Sequence, residues 1–118
     1  MKDNDDYRFS KEAIRRICRI PADFRKGSKS FHELVHDTGI ERRALTAASV
    51  TSVLLSNPDL VEDWLSWSED QRSTPSYYFL EEKGKYAVGC YPGEEIVEFS
   101  DSITACADFI VKQVSSVL

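Results

Sequence analysis

The spacing of apolar residues changes twice along this chain, and that pattern limits the fold more than any motif does. Up to about residue 70 they recur every three or four positions, after Pro75 they alternate, and beyond Asp101 the helical spacing returns. Helices, then strands, then a helix describe an α+β domain in layers, not an alternating α/β one. Ser76 to Glu81 reads as a strand, Lys83-Gly84 as its turn, Lys85 to Tyr91 as a second strand, Pro92-Gly93 as another turn and Glu95 to Phe99 as a third strand, an antiparallel meander. Ser100 or Asp101 then caps a last helix whose Ile103, Cys106, Ala107, Ile110, Val114 and Val117 share one face and should cover the sheet.

The first half predicts about four helices. Residues 1–7 are polar and charged, an expected flexible N-terminus ahead of a domain over 8–118. From Ser10, Ile14, Ile17 and Cys18 fall on one helical face, Pro21 is expected to stop that helix, and residues 21–30 read as a polar linker. Ser30 and Glu33 have capping-box spacing and open a short helix to about Asp37. The same spacing at Thr38 and Glu41 predicts a helix to about Ser56, apolar or small on nearly every side from Ala44 to Leu55 and therefore buried all round. Asn57-Pro58 ends it and starts a fourth helix with an apolar stripe of Leu60, Val61, Trp64, Leu65 and Trp67.

At 118 residues, 42% hydrophobic and 30% charged, the chain has the size and composition of one globular domain. It contains no apolar run of membrane-spanning length and no secretory leader, so a cytoplasmic location is expected. Cys18, Cys90 and Cys106 are an odd number without C-x-x-C spacing, as for free thiols in a reducing compartment. Residues 1–43 carry eleven Lys/Arg against eight Asp/Glu, whereas residues 44–118 carry four against twelve. An acidic C-terminal part repels phosphate backbones and anionic lipid and attracts basic proteins, so neither nucleic acid nor membrane is an expected partner.

Catalytic chemistry finds one foothold. His32-Glu33-Leu34-Val35-His36 matches H-E-x-x-H, in which two histidines on one helical face hold zinc while the glutamate polarises water; it resembles the zincin metalloproteases. The third-ligand position of the extended motif is Arg42, a cation, which leaves Glu62, Glu69 or Glu98 to complete a site. Glu33 already has a role in the capping box, and every expected strand follows the motif instead of preceding it. A chance match is the favoured reading, and no cofactor is expected. No G-x-S-x-G, phosphate-cradling glycine loop or C-x-x-C pair occurs. The basic residues Arg15, Arg16, Arg19, Arg25, Lys26 and Lys29 lack interleaved aromatics and read as a solvated face.

From Asp59 to Asp101, carboxylates mix with aromatics. Tyr77 and Phe79 point to one side of the first strand, and Tyr78 and Leu80 to the other. An aromatic patch rimmed by carboxylates is what protein interfaces use, unless the rings fill the core. Trp64-x-x-Trp67-Ser68-Glu69, Arg72-x-Thr74-Pro75, Tyr78-Phe79, Gly84-x-Tyr86-x-Val88-Gly89 and Phe99-x-Asp101, leading into Ala105-Cys106-Ala107-x-Phe109-Ile110, are similar to small bacterial immunity-type proteins encoded beside polymorphic or contact-dependent toxins. The resemblance covers roughly residues 64–110. It implies a small, acidic, cytosolic, non-enzymatic protein that neutralises a cognate toxin, often a basic nuclease, by direct contact. On that reading Glu69, Asp70, Glu81, Glu82, Glu94, Glu95 and Glu98 are steering charges and Trp67, Tyr78 and Tyr91 are anchors. A zinc hydrolase built on His32 and His36, and a non-enzymatic subunit or adaptor of a cytosolic complex, are the alternatives.

Overall fold

The computed structural model describes residues 11–27, 29–70, 76–91 and 96–118. In chain order the described elements are α1 (residues 11–18), α2 (Ile20–Lys26), α3 (Phe31–Asp37), α4 (Ala47–Ser56), α5 (Leu60–Asp70), β1 (Ser76–Glu82), β2 (Lys85–Tyr91), β3 (Ile96–Phe99) and α6 (Ser102–Ser115). The fold is α+β, with an antiparallel sheet of order β1-β2-β3 and a C-terminal helix packed on it.

Among the described residues five helices precede the sheet, roughly the number expected, and Pro21 starts a helix where the sequence reading has it stop one. It occupies the first turn of α2, where a missing N–H has no intrahelical carbonyl to lose. The expected linker is thus helical to Lys26, and it buries Ile20 and Pro21. The helix expected from Thr38 is also corrected. Thr38 is buried and its hydroxyl, donating to the Val35 carbonyl at 2.6 Å and accepting from the Ile40 N–H at 3.2 Å, closes α3 instead of opening a new helix. A 3₁₀ turn at Arg42–Ala44 follows, and α4 starts only after Thr46, whose capping box is completed by Ser49. Nor is α4 buried all round: Val50, Val53 and Leu54 face inward while Leu55 is 65% exposed. Asn57 turns its amide back to the Val53 carbonyl at 3.0 Å, so its side chain closes α4 and does not cap α5.

The box at Ser30 and Glu33 forms as the spacing predicts, with both reciprocal bonds at 3.2 Å. Asp101 caps α6, accepting from the Thr104 N–H at 2.8 Å and its hydroxyl at 2.6 Å, and these bonds hold its carboxyl below the usual carboxylate range. Lys83 and Gly84 both adopt positive φ, 53° and 77°, the pattern of a tight two-residue hairpin turn. Glycine takes that conformation without the steric cost a side chain brings.

The core is built on rings. Phe109 of α6 stacks on Phe79 of β1 at 5.6 Å and meets Trp64 and Trp67 of α5 at 5.9 and 6.2 Å, while Phe31 of α3 lies 5.0 Å from Trp67. Trp64 also donates its Nε1–H to the Cys18 carbonyl at 2.9 Å, tying the end of α1 to α5. Helices α1, α3, α5 and α6 thereby share one apolar centre with a single face of the sheet. No helix among the described residues is long and apolar enough to cross a membrane.

Candidate functional site

Strand alternation sorts the sheet residues between two faces. Phe79 and Val88 are paired in register, fully buried and turned toward α5 and α6. Their neighbours therefore point the other way: Tyr78 opposite Gly89 and Ile96, Leu80 opposite Ala87 and Glu98, and Glu82 opposite Lys85. Tyr78, Leu80 and Ala87 are half-buried, while Ile96 is 57% exposed. Among the described residues this outer face is an apolar strip bordered by charge. It lies on the side of the sheet away from the ring core.

Gly89 sets the shape of the strip. A methyl built on it would lie 2.3 Å from the Tyr78 hydroxyl, so the phenol lies flat across the glycine and covers it. An aromatic laid over a cross-strand glycine replaces the side-chain contact the glycine lacks. Gly89→Ala should therefore cost about 1–3 kcal/mol by overpacking. In a Tyr78→Ala background the same change should be neutral or stabilising, since glycine weakens a strand interior. Denaturant melts of the four proteins in this cycle check it, and additive costs would show that the ring does not lie there.

Among the described residues, the carboxylates expected to steer a partner do not share one face. Glu82 and Glu98 share the outer face with Tyr78, whereas Glu81 faces the helix side, where its carboxylate accepts a hydrogen bond from Tyr86 and raises that phenol's pKa. Glu69 is exposed on α5. Glu94 and Glu95, and the side chains of Asp70 and Tyr91, lie outside the described residues. Trp67 is corrected from surface anchor to core: it is 7% exposed, enclosed by Phe31, Trp64 and Phe109. Its place in the apolar stripe of α5 was the signal for this. Sequence reasoning did not select Leu80, Ala87 and Ile96 as site residues. The twofold alternation was their only signal, and it cannot say which face the helices leave open.

His32 and His36 are exposed on a helix of only seven residues, and the Glu33 carboxylate is occupied by the Ser30 N–H. Among the described residues no group of three or more His, Cys, Asp or Glu side chains converges to hold a metal. The thiols of Cys18 and Cys106 are buried, and desolvation pushes Cys18 up to about 12 and Cys106 higher still. Buried and kept protonated, they are poor nucleophiles. The Tyr78–Leu80–Ile96 strip is therefore the strongest candidate site. No family model, curated protein or solved structure matches this chain.

Proposed function

We propose that this chain is an immunity-type binding protein that presents the outer face of its sheet to a cognate toxin domain, a basic nuclease, and neutralises it by direct contact. The observation that carries the reading is the outer face of the sheet: among the described residues α5 and α6 pack on the opposite side, and Tyr78, Leu80, Ala87 and Ile96 point away from them. Half-exposed apolar surface around a tyrosine with charge at its border has the composition of an interface centre. The basic character of the partner follows from charge. Between Lys85 and Lys112 the sequence contains Glu94, Glu95, Glu98, Asp101 and Asp108 and no Lys or Arg. Such a segment accelerates encounter with a cationic surface, while the apolar strip slows dissociation. A toxin that handles nucleic acid supplies that cationic surface.

Co-expression with the product of the neighbouring gene tests this. A one-to-one complex that restores growth is expected. The double variant Tyr78→Ala/Glu98→Lys should melt somewhat earlier, because the ring over Gly89 is lost, yet stay folded and bind about 100-fold more weakly, one anchor and one steering charge being lost together. Full rescue and unchanged affinity in that variant would remove the outer face from the mechanism. An adaptor of an ordinary complex would use the same face but bind a partner that does not inhibit growth.

A further inference from the structure

We infer that the free edge of β3 receives an extended, cationic strand of the partner, which joins the sheet as a fourth strand; this rests on the proposed binding function and specifies its mode. The direction of the edge groups follows from one hydrogen bond. The Phe79 N–H donates to Ser68 Oγ of α5 at 2.8 Å, so the backbone polar groups of Phe79 point away from β2. In an antiparallel ladder these directions alternate, and residues opposite each other share them. Val88, opposite Phe79, therefore turns its N–H and C=O toward β3, and Val97, opposite Val88, returns them. Ile96 and Glu98 are left with their N–H and C=O groups pointing out of the sheet. At the other side of the sheet α5 engages the β1 edge through Ser68, whereas among the described residues no strand pairs with β3 on its outer side.

Side chains mark the same edge. Ile96 and Val97 are 57% and 42% exposed, two of the three large apolar residues so exposed among the described residues. Unpaired edges are hazards that proteins usually blunt with lysine, proline or a bulge. Here the blunting is a short strand of four residues and the negative charge of Glu98, which repels acidic strands and leaves the edge open to a cationic one. Charge selects the occupant. A second copy would bring the same cation-free acidic segment alongside, so like charges would face each other across the new pair. A strand alternating apolar and basic residues can lay its basic set on the outer face beside Glu98 and its apolar set on the helix-side face beside the exposed Val97. Backbone bonding at an edge with side-chain selection is β-strand addition.

The test uses a fluorescein-labelled ten-residue peptide alternating valine and lysine, its valine–glutamate counterpart, and the full chain labelled for amide exchange. The lysine peptide should bind saturably, the glutamate peptide should not, and the Ile96 and Glu98 amides should gain protection. Glu98→Gln and Glu98→Pro remove the same charge, but only proline removes the outward N–H, so the proline variant should bind at least tenfold more weakly than the glutamine one. Ile96→Pro replaces it if Glu98→Pro melts early. Equal binding by the two Glu98 variants, protection confined to other amides, or no binding of the lysine peptide overturns the inference. So does a dimeric mass with both amides already protected in the free protein, which makes a second copy the occupant. If the neighbouring toxin is still neutralised by Glu98→Pro, the edge mode fails and the proposed function stands.

Discussion

Phe109→Ala should destabilise the protein by about 3–5 kcal/mol, the range for removing a fully buried aromatic. Phe109 has no exposure and joins α5, β1 and its own helix through contacts with Trp64, Trp67 and Phe79. Each neighbouring ring loses a stacked, tilted or edge contact as well as area. Phe109→Leu keeps most of the volume and should cost less than half as much. Chemical denaturation of both variants checks the ordering. A loss under 1 kcal/mol for the alanine variant would mean that the two layers are not joined at this ring.

Alkaline pH should unfold the protein through its thiols. Cys18 ionises only near 12 in the folded state because burial penalises the thiolate, and Cys106 is raised in the same direction by desolvation and by its proximity to Cys18. The unfolded chain has no such penalty and ionises near the ordinary value of 9.0. A folded pKa above the unfolded one stabilises fully below pH 9, and that contribution is lost as pH rises toward the folded value. Each suppressed ionisation costs about 1.4 kcal/mol per pH unit above 9, so the two thiols together cost about 5 kcal/mol by pH 11. Melting curves from pH 8 to 11 should fall steeply for the parent. Cys18→Ala/Cys106→Ala should begin less stable at pH 8 and fall more gently. Equal slopes would show that the thiols are not responsible.

The elements most legible in the sequence carry local signals that nothing overrides. The hairpin is set by Lys83-Gly84, α3 by the box at Ser30 and Glu33, and α6 by the cap at Asp101, each a side-chain or backbone preference acting within four residues. The misread segments have local signals with two physical outcomes. Pro21 is compatible with a helix end or a helix start, and packing of Ile20 and Pro21 into the core decides for the start. Thr38 has the chemistry of an N-cap, but burial turns its hydroxyl toward Val35. The site was less legible for a related reason. Alternation placed Tyr78 and Leu80 on one side of β1, but which side the helices cover depends on contacts between elements far apart in sequence, such as Phe79 with Phe109. Trp67 is the clearest case: a ring beside carboxylates in sequence is drawn into the core by three other rings.

The central claim is that the open sheet face is where the partner sits, and an amide-exchange footprint of the purified complex with the neighbouring-gene protein tests it most directly. Protection is expected over Tyr78, Leu80, Ala87 and Ile96, with no change around the exposed Leu55 of α4. A footprint on α4 or on the basic residues of α1 and α2, with the β-strand amides exchanging as in the free protein, would contradict it.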